Sequence, residues 1–183
     1  MVREVDHLEQ DLTNLLTAGG LRDSRQGLRL VLGDLAEDIR DAIHSMRDRC
    51  QSAGVTVTAE DMAPAPIQRD REAVHQVLHN LLDNAVKYTG EGGRITVSLT
   101  RNSEMVRLSI TDDGSGIQPD DLPHVFERFY RGQHKQHCGG SGVGLYIVHE
   151  LVRSHGGSVT VHSEGVGKGT RFDINLPRAK GTP

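Results

Sequence analysis

The reading of this chain turns on His79-Asn80-Leu81-Leu82-Asp83-Asn84-Ala85-Val86-Lys87-Tyr88-Thr89. The stretch closes a helix that starts after Asp70, a good N-cap, and runs to about Tyr88 before a turn at Gly90–Gly93. At about 100° per residue, Asn84 and Lys87 lie within roughly 40° of Asn80, while Val74, Val77, Leu78, Leu81 and Ala85 cover a neighbouring arc. One edge of a core helix is therefore polar. Two carboxamides and an ammonium in a row suit a hydrated divalent cation beside an anion, since carboxamide oxygens fit Mg²⁺ and Lys meets phosphate as a point charge. An ordinary solvated helix edge has the same pattern, so the flanking segments must decide.

Downstream, Arg94–Thr100 and Met105–Thr111 alternate apolar with polar residues across a short link holding Asn102 and Ser103, which predicts a β-hairpin. Its second strand ends in Asp112-Asp113-Gly114-Ser115-Gly116-Ile117. A carboxylate there can accept from an exocyclic amine, and the glycines let backbone approach a flat ring. Gly139-Gly140-Ser141-Gly142-Val143-Gly144-Leu145 opens a helix predicted from Gly142 to His155, so its N–H groups and dipole can meet phosphate oxygens. It is reached from a loop rather than a strand, so it is not the dinucleotide fingerprint, and no P-loop occurs in the chain. Between the two glycine segments, Val125-Phe126-Glu127-Arg128-Phe129-Tyr130-Arg131 concentrates three of the six Phe and Tyr residues, within helical character over about Asp120–Arg128. Phe126 and Phe129 are spaced to clip a helical turn to a core, leaving Arg128 and Arg131 to reach a γ-phosphate. The polar stretch Gly132–Ser141 reads as a mobile loop. Ser158–Ser163 and Thr170–Leu176 form a second pair of alternating strands, joined by a tight glycine turn, Gly165-Val166-Gly167-Lys168-Gly169.

Upstream, a helix is expected from about Asp34 to Ala53, with Leu35, Ile39, Ala42, Ile43 and Met46 on one face and Gly54 as cap. An extended stretch Val55–Thr58 follows, and Pro64 and Pro66 mark a loop. Near the start, Val5, Leu8, Leu12 and Leu15 recur at spacings of three and four, the seam of a coiled coil or helical hairpin, until Gly19 and Gly20 stop it. So short a helix cannot bury its seam alone and reads as the tail of a longer element upstream. Strands adjacent in sequence with helices between them predict an α+β two-layer sandwich with a mixed sheet. The 183 residues suit one domain. A net charge of −4 without a basic block argues against nucleic acid as partner. No apolar run approaches a membrane span, which points to a soluble, cytoplasmic segment. Cys50 and Cys138 alone make no disulfide framework. His134, His137 and Cys138 stand at metal-ligand spacing, but in a glycine-rich loop without a fourth ligand, so solvated loop residues are the simpler reading.

In their order, these segments resemble the boxes of the catalytic, ATP-binding domain of bacterial two-component sensor histidine kinases. That domain belongs to a superfamily shared with gyrase, heat-shock chaperone and mismatch-repair ATPases. His79–Thr89 resembles the asparagine box, Asp112–Ile117 the first glycine box, Val125–Arg131 the phenylalanine box, Gly140–Leu145 the second glycine box and Gly167–Thr170 the third. The resemblance implies a Bergerat-type fold, a mixed sheet on three helices. It divides the chain into the end of the second dimerisation-hairpin helix (1–18), a linker (19–30), the ATP-binding domain (31–178) and a polar tail (179–183). It further implies that Asn84 and Asn80 coordinate Mg²⁺, that Lys87 contacts phosphate, that Tyr88 packs near the adenine and that Asp112 reads its amine. Gly114, Gly116, Ile117 and Thr170 would line the nucleotide. Gly140, Ser141, Gly142, Val143, Gly144 and Leu145 would lie along the phosphates. Phe129, Tyr130, Arg131 and Arg128 would stand at the root of the lid, with Arg131, Arg128 and Lys87 nearest the transferred group. Phosphoryl transfer of this kind is positioning and charge neutralisation.

The family's phosphoacceptor, a His followed by an acidic, an apolar and a basic residue and then Thr-Pro or Asn-Pro, is not found. His149-Glu150-Leu151-Val152-Arg153 imitates its opening without the proline. The acceptor hairpin is therefore expected elsewhere in a membrane-anchored, homodimeric parent that serves a response regulator, while the fragment itself is expected to be monomeric. The alternatives are an ATP-hydrolysing clamp or a non-catalytic nucleotide-binding domain. Clamps carry a glutamate four residues before the Mg²⁺ asparagine, where this chain has Asn80, which cannot take a proton at neutral pH.

Overall fold

In a computed structural model, the described residues are 27–60, 62–132 and 141–180. The helix expected over 1–18, most of the linker, and Gly140 with His134, His137 and Cys138 lie outside them.

The centre of the molecule is the predicted hairpin, β4 (Arg94–Arg101) with β5 (Met105–Asp112), paired antiparallel. Along β5, Val106, Leu108, Ile110 and Asp112 are buried, whereas Arg107 and Thr111 are exposed. The period of two that buries three aliphatics thus carries a carboxylate to the end of the same face. β7 (Thr170–Pro177) joins β5 and β6 (Ser158–His162) joins β7, both antiparallel, while β2 (Thr56–Ala59) lies parallel to β4 on the other edge. The order β2-β4-β5-β7-β6 is a mixed five-stranded sheet.

Helices α1 (Leu35–Ser45), α2 (Arg47–Ala53), α3 (Arg71–Thr89) and α4 (Gly144–Ser154) complete the layer. α3 is capped by Asp70, whose carboxylate accepts from the Ala73 N–H at 3.1 Å. Nine of its residues are buried, among them Val74, Val77, Leu78, Leu81 and Asn80, because it packs against α1, α2, α4 and the sheet. Each fully buried aliphatic contributes roughly 1.5–3 kcal/mol.

Three expectations about the elements are corrected. The helix expected over Asp34–Ala53 breaks at Met46, which leaves the α-helical ψ (−3°) and turns the chain, so among the described residues four helices rather than three flank the sheet. Val31–Asp34 is a strand, β1, and Pro66 opens another, β3 (Pro66–Arg69), instead of lying in a loop. Proline is tolerated there as the first residue of a short strand. The pair forms a separate two-stranded sheet, and Arg69 folds over Gly33 to reach buried Asp38 of α1 in an ion pair. Asp120–Arg128 holds only one 3₁₀ turn, Leu122–His124, with Pro123 inside it. At the C-terminus, Ala179 N–H donates to Pro66 O.

Candidate functional site

The polar edge of α3 faces the start of α4. Asn80 is buried, and its Nδ2 donates to Gly144 O at 3.4 Å, which leaves the carboxamide oxygen, an acceptor, beside the glycine turn. A Cβ on Gly144 would sit 3.6 Å from that oxygen, so the turn and the asparagine are in van der Waals range. Asn84, Lys87 and Tyr88 continue the edge half-buried, and the Lys87 ammonium lies 5.1 Å from the centre of the Tyr88 ring. Next to this edge, Arg49 of α2 pairs with Asp83.

The end of α3 is fastened to the turn after β5. Ser115 N–H donates to Tyr88 O at 2.9 Å, and a Cβ on Gly114 would overlap the Tyr88 carbonyl and the Thr89 backbone. Only a residue without a side chain lets the helix end come this close. Asp112, 6% exposed, accepts from Gly114 N–H at 3.0 Å through Oδ1 and stands opposite buried Thr170 in the ladder. Asp112, Gly114, Tyr88 and Thr170 thereby form one corner.

The 163–170 segment clasps that corner. Gly167 N–H donates to Ser115 O and Gly169 N–H to Gly114 O. Gly169 holds φ +70°, and a Cβ there would overlap Asp112 O. The Ser163 hydroxyl donates to Gly169 O at 2.7 Å and accepts from Ile117 N–H at 3.0 Å. Read on spacing alone, this turn is a structural hairpin, and Ser163 gave no signal at all. A lone serine before a glycine turn is too common to stand out, and its role depends on which strands become neighbours.

The phenylalanine segment divides. Phe126 packs on the core, edge to face with Phe172 at 6.3 Å and beside His149 at 5.7 Å. Phe129 does not clip a helix to the core. It is 56% exposed at φ +68°, uncommon for a bulky residue, and its N–H donates to Gly142 O at 2.9 Å. Gly142, at φ +69°, packs so tightly on Phe129 and Tyr130 that a Cβ would come within 2.8 Å of Tyr130 O. Phe129 and Gly142, which flank residues 130–141 in sequence, are thus joined. Arg128, exposed, lies over the Phe129 and Tyr146 rings at 4.8 and 5.9 Å. Tyr130 donates to Asp121 at 2.6 Å; that hydrogen bond, with burial and the surrounding carboxylates, pushes the phenol up to about 12. Arg131 is exposed, and Ser141 is half-buried. Buried Val143 and half-buried Leu145 anchor the start of α4 in the core.

The structure thus links Asn80 to Gly144, the α3 end to Asp112, Gly114 and Thr170, and Phe129 to Gly142. Gly116 and Ile117 belong to the clasped corner, and Gly140 lies outside the described residues. Carboxamide oxygens with a lysine beside them are a hard-cation and phosphate donor set, and the cradles at Gly114 and Gly142 are ones a Cβ would fill. The residues present therefore fit a Mg²⁺-nucleotide. Among the described residues, no group of three His, Cys, Asp or Glu side chains offers another metal site. Nor is any described helix long and apolar enough to cross a membrane.

Known proteins agree with this geometry. A family model described as histidine kinase-, DNA gyrase B-, and HSP90-like ATPase matches residues 69–180. The sensor histidine kinase RppB of Synechocystis is 31% identical over 179 residues, 96% of this chain and 39% of RppB. The sensor protein SrrB of Staphylococcus aureus is 38% identical over 134 residues, 72% of this chain and 23% of SrrB. This chain therefore spans well under half the length of either relative. Among solved structures, the mycobacterial sensor histidine kinase MprB superposes with a TM-score of 0.71 at 33% identity, covering 81% of this chain and 97% of that one. Full-length ShkA, solved in complex with AMPPNP, superposes at 0.83 and 29% identity over 99% of this chain and 38% of its own. With its boxes assembled on a mixed sheet and four helices, and with these relatives, the chain belongs to the histidine kinase-, DNA gyrase B- and HSP90-like ATPase family, in its sensor histidine kinase branch.

Proposed function

We propose that this chain binds Mg-ATP and donates the γ-phosphate to a histidine on a dimerisation hairpin of its parent protein, for relay to a response regulator. The observation that carries the reading is the meeting of buried Asn80 with Gly144 on one side, and of buried Asp112 with Gly114 and Thr170 on the other. Asp112 accepts from the adenine amine, and Tyr88 flanks the base. Asn84 and Asn80 hold Mg²⁺, which when bound neutralises charge on the phosphates. Lys87 pairs with a phosphate oxygen, and the N–H groups at 141–144 receive the chain of phosphates at the start of α4. Arg131 and Arg128 reach toward the transferred group from the loop root. The protein's part is orientation and charge, with no covalent step of its own.

Asn80 also sets the reaction class. A carboxamide that donates to a backbone carbonyl takes no proton from water, so hydrolysis stays slow and transfer to a better nucleophile is favoured. His149 is no acceptor: half-buried on α4, its ring lies tilted against Phe126 with Nδ1 3.1 Å from Glu150. The test is calorimetric titration with Mg-ATP, Mg-ADP and Mg-GTP, followed by labelling of an added acceptor hairpin with γ-labelled ATP. Adenine-selective binding and acid-labile label on the hairpin alone are expected. Equal GTP and ATP affinity, or label on the isolated chain, refutes the reading.

A further inference from the structure

Helix α3 and the start of α4 carry the metal and phosphate groups of the proposed nucleotide site, and two hydrogen bonds pin the helices together. One is Asn80 Nδ2–H to Gly144 O, at the site itself. The other is remote: Asp70 N–H, at the start of α3, donates at 3.1 Å to Nε2 of His155, at the end of α4. The helices therefore run antiparallel. The pins lie ten residues apart on α3 and eleven apart on α4, about 15 Å and about 16 Å of helix. Matched spans of this kind forbid sliding of one helix along the other.

His155 is suited to a fixed pin. It is 9% exposed, and its Nδ1 lies 2.7 Å from Leu151 O, a carbonyl that can only accept. Nδ1 therefore carries the proton, and Nε2 presents a lone pair to the Asp70 N–H. Beneath the ring lies a cavity of about 10 Å³ whose walls include Leu35, Val74, Val77, Leu78, Val152 and Leu176. These walls are carbon, so the inner side of the ring is held by packing, and the space is barely that of one water. The charged group that acts on this ring is Asp70 itself, whose carboxylate is engaged with the N–H groups of Ala73 and Arg29.

We propose that His155 is a positioning residue for nucleotide binding: through Asp70 N–H it locks the register of α3 against α4, and so fixes the distance between the Asn80–Asn84 edge and the 141–144 turn. The inference rests on the function proposed above. Its weight follows from the site pin, whose 3.4 Å length makes it the weaker of the two bonds.

Asp70 cannot test this, because its side chain also caps α3 and holds Arg29. His155 can. In His155→Gln the carboxamide oxygen reaches the place of Nε2 and still accepts from Asp70 N–H; in His155→Asn the shorter amide returns only to its own helix. Mg-ATP affinity by calorimetry and the urea midpoint are measured on the full chain. His155→Asn is expected to lose about tenfold in affinity and to unfold at somewhat lower urea while still folded under the conditions of the titration, and His155→Gln to stay within about twofold of the parent in affinity. Equal affinity in His155→Asn and the unaltered chain overturns the register lock, as does a Gln variant that loses as much as Asn. Should the Asn variant not fold, the imidazole ¹⁵N shifts of the unaltered protein decide: an Nδ1–H tautomer supports the lock, and an Nε2–H tautomer refutes it. An unaltered chain that fails to bind Mg-ATP overturns the proposed function and this inference together, whereas a lock that fails alone leaves nucleotide binding intact.

Discussion

Replacing Asp112 with Asn isolates what its charge does. In the structure Oδ1 accepts from Gly114 N–H at 3.0 Å, and an asparagine oxygen in the same place keeps that bond. The β5 end, the approach of Gly114 to Tyr88 and the Asp112–Thr170 pairing are backbone features, so they also survive. What changes is the second position of the carboxylate, an acceptor turned into an NH₂ donor. A hydrogen bond to a charged acceptor contributes about 1.5–3 kcal/mol, so Mg-ATP affinity should fall by roughly ten- to 150-fold. The melting temperature should move little, because the Gly114 bond and the backbone contacts of the corner are kept. Calorimetric titration and thermal unfolding on both proteins give the two quantities side by side. Asp112→Ala serves as the contrast, since it also strands the Gly114 N–H and should lower stability by about 1–3 kcal/mol. An Asp112→Asn protein that binds Mg-ATP as tightly as the parent refutes the adenine assignment. One that unfolds early refutes the claim that its charge is functional rather than structural.

Arg69→Met leaves Asp38 buried without its partner, which should cost about 3–5 kcal/mol; adding Asp38→Leu should restore much of it, and urea midpoints for the single and double variants check both. Burial pushes the His79 imidazole below its usual 6.5 against the pull of Asp83, and its Nδ1 is buried without a hydrogen-bond partner. The unfolded chain therefore takes up that proton first, so stability should fall as pH drops from about 7 toward about 5, and less so in His79→Gln; parallel pH slopes in the two proteins would contradict this. Phe126→Ala should cost about 2–3 kcal/mol because the ring packs on Phe172, whereas Phe129→Gly, which loses an exposed ring and relieves a left-handed backbone, should leave the melting temperature within a few degrees. Equal losses at the two positions would mean that Phe129 is held by packing after all.

Local physics made much of the architecture legible. Asp70 caps α3, the alternation in Arg94–Thr100 and Met105–Thr111 becomes β4 and β5, and Ser158–Ser163 pairs with the last strand, because capping and face alternation are properties of neighbours in sequence. The polar edge of α3 and the glycine segments were legible as separate pieces for the same reason. Where the reading failed, local pattern was outvoted. The apolar face of Asp34–Ala53 continues through Met46, yet the chain turns there to fit α2 beside α3. Asp120–Arg128 has helical spacing, yet it winds only one 3₁₀ turn, with Pro123 inside it. Pro66 carries a turn signal, but a strand forms because β1 offers it an antiparallel edge.

By itself the sequence determined which residues are chemically suited to a cation, a phosphate and a base, and in what order along the chain they occur. Only the tertiary structure decided that Asn80 meets Gly144, that Asp112 stands opposite Thr170 and that Ser163 staples Ile117 to Gly169. It alone decided that His155 holds the far end of α3 and that Phe129 faces solvent rather than the core. Composition and periodicity report what a residue prefers within a turn or two of helix or across one strand. Contacts between residues dozens of positions apart depend on which faces the sheet and helices bury against each other, and that is settled only when the whole core closes.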